Sequence, residues 1–241
     1  MSDPLAEAPP VRIGLAEVAA CFLASVIAAT IATGVALGAG AKTDSIAFLV
    51  AGLVGEWVAF GGGAVLISRR RGTGNVVRDF GLRIEGWRDV GLGLAAGLGT
   101  SIVLLGVFYP LLLHGLGHLV GHKIAVGGTA TKLWSEGRGP GRVVFALSVA
   151  IGAPIAEELF FRGLLLRALQ RRLRDGWAIA VCGVLFGLAH ATGTEAAAIP
   201  ALMVFGAILS ALAVRTGRLG PGIVAHVAFN AITVAQLAAT H

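Results

Sequence analysis

Charged residues are scarce in this sequence, since only 13% of its 241 residues are charged, where an ordinary soluble domain has about 25%. Cysteine is scarcer still, because Cys21 and Cys182 are the only two and lie far apart inside apolar stretches. This excludes a disulfide-rich scaffold, and we expect both thiols to be small buried residues. The low charge argues equally against a water-soluble domain.

Two motifs of common hydrolases are also missing. The chain has no His-Glu-x-x-His, which would place two zinc ligands and a glutamate on one helix. It has no Gly-x-Ser-x-Gly, the turn that presents the nucleophilic serine of α/β-hydrolases. Neither the usual zinc-protease helix nor a serine-hydrolase elbow can therefore carry chemistry here.

The sequence contains several long runs of apolar residues. The hydrophobic content is 56% and the mean hydropathy is +0.85, and several runs reach the roughly 20 residues that cross the hydrocarbon core of a bilayer. The 36 glycines would let helices approach closely in lipid, and the alternating pattern of a membrane β-barrel is absent. The sequence predicts an all-α, polytopic transmembrane helix bundle that forms one membrane domain.

We predict about seven spans, near residues 13–39, 45–68, 91–113, 142–168, 177–193, 197–214 and 222–239. Arginines cluster between spans, at residues 69–88, 167–174 and 215–218. One alternating topology puts all three clusters in the cytoplasm, together with the N-terminus. The net charge of +6 is therefore interpreted as a topology signal, and membrane lipid rather than nucleic acid is the expected partner.

The N-terminal ten residues are acidic and have no basic segment, so we expect no cleavable signal peptide. Usage rich in Gly, Ala and Arg is typical of a bacterium with high-GC coding. We therefore expect a multi-pass protein of the cell membrane, specifically a bacterial inner membrane.

Ionisable residues inside the predicted spans need an explanation, because each costs roughly 2.5–3.5 kcal/mol to insert. Glu158 and Arg162 are four residues apart and share a helix face, so they can ionise as a pair. Glu157 points about 100° away on a helix and has no cation on its own helix. A carboxylate in that position is suited to accept and return a proton. An interhelical staple is the structural alternative for the Glu158–Arg162 pair.

Two further spans present polar side chains. His190 follows Phe186 by four residues at the end of span five, and His226 and Asn230 share one face of span seven. His226 and Asn230 could donate two hydrogen bonds to an oxyanion. Taken singly, each histidine could be a packing residue. Three helices that together offer a base, two imidazoles, an amide and a cation point to a catalytic site.

Other polar residues carry weaker signals. Glu56 lies in the middle of span two, where a structural hydrogen bond to the bundle is favoured over a functional role. His114, His118 and His122 recur at four-residue spacing, which on a helix would make a metal-binding face. Three glycines in that stretch weaken a helix, so we favour a loop or an interfacial segment on the outer face.

The motifs Glu157-Glu158-x-x-x-Arg162, Phe186-x-x-x-His190 and His226-x-x-x-Asn230 resemble the three signatures of the CAAX prenyl protease type 2 family. That group comprises CAAX proteases and bacteriocin-processing or immunity proteins, and is also called the CPBP or Abi family. The resemblance covers residues 142–238, which would form a catalytic four-helix core. Residues 1–141 would form a three-span region with an outer loop.

The resemblance implies a role for each matched residue in hydrolysis of a peptide bond within or near the bilayer. Glu157 would activate the attacking water, and His190 would position that water and shuttle protons. His226 and Asn230 would stabilise the tetrahedral oxyanion. Supporting roles fall to Glu158, Arg162 and Phe186, with Phe186 packing the wall of the site.

The residue set leaves the cofactor and two other functions open. Glu157, His190 and His226 could hold a divalent metal such as zinc with one open position, and a metal-free glutamate mechanism fits the same residues. The alternatives to an endopeptidase are a proton-coupled membrane transporter and a catalytically silent immunity-type protein. For the endopeptidase, the partner is a peptide or protein substrate that enters from the bilayer or from the cytoplasmic side.

Overall fold

The computed structural model describes residues 11–120, 128–191, 194 and 196–240, with side chains for all of these except 105, 109 and 116–120. These residues contain helices and no strand. The helices are α1 (Leu15–Gly38), α2 (Ile46–Arg71), α3 (Val76–Phe80), α4 (Trp87–Val103), α5 (Tyr109–Val120), α6 (Thr129–Glu136), α7 (Pro140–Leu147), α8 (Ala153–Glu158), α9 (Leu166–Gln170), α10 (Asp175–Ala189), α11 (Ile199–Thr216) and α12 (Gly220–Thr240). The prediction of a polytopic all-α bundle is confirmed.

Three segments of π-helix continue the α-helical path. They are π1 (Leu104–Phe108), π2 (Ser148–Gly152) and π3 (Leu159–Leu165). As a result, α4, π1 and α5 run on as one long helix, and α7, π2, α8, π3 and α9 run on as another.

Six helices of the described chain are long and apolar enough to cross a membrane. They are Leu15–Gly38, Ile46–Arg71, Trp87–Gly115, Pro140–Gln170, Ala196–Thr216 and Gly220–Thr240. Their bounds lie within a turn or so of six predicted spans. The predicted span over 177–193 is wrong in length, because α10 has 15 residues and ends at Ala189. The chain is a multi-pass membrane protein.

Of the two alternatives for the segment with His114, His118 and His122, the loop is wrong over the described residues, and the interfacial segment stays a prediction. His114 and His118 belong to α5, which is helical through Val120 despite its glycines, and the long apolar helix before it gives the segment a preformed template to extend. His122 lies outside the described residues.

The bundle is built from three helix pairs around the long helix Pro140–Gln170. The pairs are α1 with α2, α10 with α11, and α4 with α12. Glycine sets the close approach in each pair. A Cβ added to Gly55, Gly93 or Gly183 would lie 2.5–2.7 Å from a carbonyl oxygen of the partner helix. Such close approach through small residues is how helices associate in lipid, where the hydrophobic effect offers little drive.

The core of the bundle is a continuous row of aromatic rings. Phe60 of α2 stacks on Phe160 of π3 with ring centroids 4.2 Å apart, and Phe160 meets Phe161 edge to face. Phe161 contacts Phe186 of α10, which in turn contacts Phe205 of α11. The row ties α2 and the central helix to the last helices of the chain.

The two π-segments of the central helix flank α8, which carries the adjacent glutamates. A π-helix leaves carbonyl groups misaligned with the normal helical ladder, and such segments are frequent at functional sites. Here neighbouring side chains bond those carbonyls. Asn230 Nδ2 donates to the Val149 oxygen in π2 at 2.9 Å, and Cys182 Sγ donates to the Phe161 oxygen in π3 at 3.3 Å.

A network of ion pairs closes one end of the bundle. Arg218, in the turn between α11 and α12, binds both oxygens of Asp89 at the start of α4, at 2.6 and 2.7 Å. Asp79 of α3 accepts hydrogen bonds from Ser68 and Thr73. Burial opposes ionisation of Asp79, but these bonds outweigh it and lower its pKa. These contacts fix the turn from which α12 carries His226 into the bundle.

Candidate active site

The most deeply buried polar group in the site is a carboxylate shared by two partners. Arg162 Nη1 donates to Glu158 Oε1 at 2.7 Å, and Nδ1 of His226 lies 3.1 Å from the same oxygen. Both side chains of the Glu158–Arg162 pair are fully buried. The predicted pairing is confirmed, and its third member comes from α12, the last helix of the chain.

Arg162 is held from three further directions. Its Nη2 donates to the Gly206 carbonyl oxygen of α11 at 2.8 Å. Its guanidinium lies 4.6 Å from the centre of the Phe186 ring and 5.7 Å from that of Phe161. A buried charge is tolerated when it is paired and hydrogen-bonded. Arg162 meets that condition, so it balances Glu158 and leaves Glu157 without a cation of its own.

Glu157 faces both imidazoles. Its Oε2 lies 3.8 Å from Nε2 of His190 and 3.8 Å from Nε2 of His226, although the two histidines belong to different helices. Among the described residues, this buried oxygen has no hydrogen-bond partner. A separation of 3.8 Å is too long for a direct hydrogen bond, and it suits a bridging water.

The hydrogen bonds of the two rings fix which nitrogen carries the proton. Nδ1 of His190 lies 2.9 Å from the Phe186 carbonyl oxygen, which can only accept, so Nδ1 donates. Nδ1 of His226 donates in the same way to Glu158, which is already charge-balanced by Arg162. In the neutral rings, both Nε2 atoms therefore present lone pairs toward Glu157.

His190 lies at the end of its helix, as its place at the end of span five predicted, because it is the C-cap residue of α10. His226 lies six residues from the start of α12. The end of α10 at Ala189 and the packing of α12 against α8 bring both histidines close to Glu157.

Asn230 is one turn beyond His226 on α12, and its amide nitrogen bonds Val149. An asparagine amide has two N–H donors, so this bond uses one of them. The structure thus gives Asn230 a definite partner on π2 that the sequence did not indicate. Its expected oxyanion role stays a prediction.

Aromatic rings form the wall of the site, as expected for Phe186. That ring lies 4.8 Å from the His190 ring and 5.6 Å from the His226 ring, centre to centre. Phe205 of α11 adds a second ring against His226 at 5.3 Å. Sequence reasoning missed Phe205 and the Gly206 carbonyl, because a phenylalanine and a backbone oxygen in an apolar helix carry no distinguishing signal.

Among the described residues, no group of three or more His, Cys, Asp or Glu side chains is arranged to hold a metal ion. One carboxylate oxygen of Glu157 faces two imidazole nitrogens, and the second glutamate is occupied by Arg162 and His226. The divalent metal expected at Glu157, His190 and His226 stays a prediction.

Glu56 of α2 is the residue outside the three motifs that the structure adds to the neighbourhood. It lies within electrostatic range of Glu157 and His190, and α2 packs directly against α8. The expected structural hydrogen bond is not found, because Glu56 makes no hydrogen bond or ion pair with a described residue.

A family model matches the part of the chain that contains the candidate site. The family model described as "Type II CAAX prenyl endopeptidase Rce1-like" matches residues 139–232. No curated protein and no solved structure matches the chain. The matched segment contains α8, His190 and His226, which are the elements that build the site. Over residues 139–232 the chain is thus similar to the Rce1-like type II CAAX prenyl endopeptidase family, and this similarity supports its assignment to the CAAX protease group.

Proposed function

We propose that the protein is an intramembrane endopeptidase in which Glu157 activates water against a peptide carbonyl. The observation that supports this most is the unpartnered Oε2 of Glu157, 3.8 Å from two imidazole nitrogens in an aromatic-walled site. A buried carboxylate interacts more strongly with a reacting group than an exposed one does, because little water screens the electrostatic interaction between them. The match of residues 139–232 to an endopeptidase family supports the same reaction class.

The attacking water would lie between Glu157 and His190. Glu157 Oε2 accepts one of its hydrogens, and the lone pair on His190 Nε2 accepts the other. The water oxygen then forms a bond to the carbonyl carbon while Glu157 takes the first proton. The hydrogen bond from His190 Nδ1 to Phe186 holds the ring in the tautomer that this step requires.

The oxyanion that forms would be met by His226 and Asn230. Because Nδ1 of His226 donates to Glu158, its Nε2 can donate to an oxyanion only when the ring is doubly protonated. Glu158 lies against the other side of that ring. The Asn230 amide would contribute its second N–H. The proton on Glu157 finally passes to the leaving nitrogen, the C–N bond breaks, and a carboxylic acid and an amine leave.

The substrate in this proposal is a peptide or protein that reaches the site from the bilayer or from the cytoplasmic side, and membrane lipid is the surrounding partner. We place the protein in the cell membrane of a bacterium, with its N-terminus in the cytoplasm.

The test is cleavage of membrane-anchored peptides, with and without a prenylated cysteine, by purified protein in lipid nanodiscs. We expect the wild type to cut and Glu157→Gln to cut about 10²–10⁴-fold more slowly. Glu136→Gln is the matched control, because Glu136 is exposed on α6 and should leave cleavage unchanged. Cleavage by Glu157→Gln at the wild-type rate would overturn the mechanism.

Two further outcomes separate the alternative functions. If Glu157→Gln and His190→Ala abolished proton flux into liposomes while no peptide were cut by the wild type, a transporter would replace the endopeptidase. If wild type and both variants cut nothing, moved no protons and gave equal biological activity, the silent immunity-type protein would stand.

A metal-free reaction is part of the proposal and has its own measurement. Wild-type protein is treated with a chelator and analysed for zinc and other divalent metals before the cleavage assay. We expect activity to persist in metal-free protein. One equivalent of metal per active chain, with activity lost on chelation and regained on adding it back, would replace the glutamate-only mechanism by a metal-assisted one.

A further inference from the structure

A cavity of about 320 Å³ opens between α1, α2 and α6. Its wall is mainly apolar and includes Ala29, Leu53 and Leu133. The hydroxyl side chains of Thr43 and Ser45 line the end of the cavity at the α1–α2 connection, where α2 begins. The cavity therefore runs from one end of the bundle along the faces of α1 and α2.

Glu56 is the charged side chain in the lining of this cavity. It is only partly exposed, and it has neither an ion pair nor a hydrogen bond with a described residue. An ionisable group in apolar surroundings normally has a partner, because an unpaired charge there is costly. A carboxylate that faces a cavity without such a partner is available to a ligand.

Glu56 lines the cavity and also lies near the proposed active site. The next residue of α2, Trp57, packs so closely on Gly152 that an added Cβ would collide with the indole ring. This contact holds α2 against π2, immediately before α8. Glu56 consequently lies within electrostatic range of Glu157 and His190.

Charge complementarity favours a cation as the ligand of Glu56. Arg162 is committed to Glu158, and Glu56 has no ion pair with a described residue. A substrate that brings a positive charge into the cavity would supply a partner for Glu56.

We propose that Glu56 and the α1–α2–α6 cavity form a substrate subsite that selects a basic side chain, Lys or Arg, near the scissile bond. This inference rests on the proposed endopeptidase function. The methylene stem of a lysine or arginine would lie along the apolar wall while its charged end meets Glu56. Glu56 is thus a specificity-determining residue and not a participant in bond cleavage.

The experiment compares pairs of membrane-anchored peptides that differ only by Lys or Met, with the substitution moved one position at a time across the scissile bond. At one position, the wild type should prefer Lys by about tenfold in kcat/KM. Glu56→Gln should abolish that preference, chiefly by raising KM for the Lys peptide. Glu56→Asp keeps the charge and should keep the preference.

Three results would overturn the inference. One is an equal Lys preference in wild type and Glu56→Gln. Another is an equal loss of kcat on every peptide, which would make Glu56 part of the chemistry or of the fold. The third is a wild type that cuts peptides with no preference for a basic residue at any position. In each case, cleavage by the wild type leaves the endopeptidase proposal intact.

A wild type that cuts nothing would instead end the endopeptidase proposal, and binding then tests the subsite separately. Anisotropy of a labelled Lys peptide, against its Met partner, is measured on Glu157→Gln and on Glu56→Gln. Tighter binding of the Lys peptide that is lost only in Glu56→Gln supports the subsite, and equal binding of the two peptides overturns it.

Filling the cavity provides a second variant. Ala29→Leu should project new volume into the cavity from α1 and raise KM for the Lys peptide about tenfold. Ala24→Leu is the matched control, because Ala24 is exposed on the same helix. An unchanged KM in Ala29→Leu, with both variants folded as judged by thermal unfolding, would show that substrate does not occupy the cavity.

Discussion

The first and second halves of the molecule use apolar helices for different ends. In α1, 17% of the most apolar window is buried inside the protein, against 44% for the central helix Pro140–Gln170. Glu56 is the ionisable residue in the middle of the first two spans. The later helices bring together Glu157, Glu158, Arg162, His190 and His226.

This difference shows where a membrane protein tolerates ionisable side chains. A helix that faces lipid on most sides has no neighbour to satisfy a charge, so its sequence stays apolar. The central helix is surrounded by α2, α10, α11 and α12, which supply Phe, His and backbone carbonyl partners. Ionisable groups are therefore concentrated where protein rather than lipid surrounds the helix.

The largest expected effect separates two adjacent glutamates. Glu157→Gln should lower kcat by about 10²–10⁴-fold, because it removes the proposed base, and should leave the free energy of unfolding nearly unchanged. The measurement is peptide cleavage in nanodiscs together with denaturant unfolding in mixed micelles. A variant that loses stability in proportion to activity would contradict this division of roles.

Glu158→Ala should act on stability instead. It leaves Arg162 buried without its carboxylate and His226 without its acceptor, at a cost of about 3–5 kcal/mol in the free energy of unfolding. The paired variant Glu158→Leu with Arg162→Met removes both charges and should recover much of the loss. A cost below about 1 kcal/mol for Glu158→Ala would show that water reaches this pair.

A third prediction compares packing in the two halves. Phe160→Ala removes a buried ring that stacks on Phe60, and should cost about 3–5 kcal/mol. Val35→Ala on α1 removes methyl groups from a side chain that is 67% exposed, and should change the free energy of unfolding by less than about 0.5 kcal/mol. Equal costs would mean that α1 is covered by a partner in the membrane.

The smallest effect lies outside the spans. Asp79→Asn weakens the hydrogen bonds from Ser68 and Thr73 and should cost about 1–3 kcal/mol at neutral pH. Because the native pKa of Asp79 is lowered, its contribution is fully present above the ordinary pKa of aspartate. It is lost as the pH falls through the lowered native value.

Unfolding of wild type and Asp79→Asn is therefore followed from neutral to acidic pH. The difference in stability between them should shrink as the pH falls. A gap that stays constant, or widens in acid, would show that ionised Asp79 does not stabilise the α2–α3 connection.

The pattern of the sequence by itself determined the class of fold and the composition of the site. Apolar runs of span length fixed the helices, since no other structure could satisfy their backbone in lipid. The four-residue spacing of Glu158 and Arg162 predicted their ion pair, because a helix repeats every 3.6 residues. The three motifs named the other residues that the structure then brings together.

Only the tertiary structure decided how these residues meet. The π-segments on both sides of α8, the end of α10 at Ala189 and the Asn230–Val149 bond depend on contacts between helices far apart in the chain. The same holds for Glu56, whose distance from Glu157 is set by the packing of Trp57 on Gly152. The spacing of residues in the sequence shows which side chains share a face of one helix. The depth of each helix in the membrane, its rotation and the partners of its side chains depend on how the helices pack together.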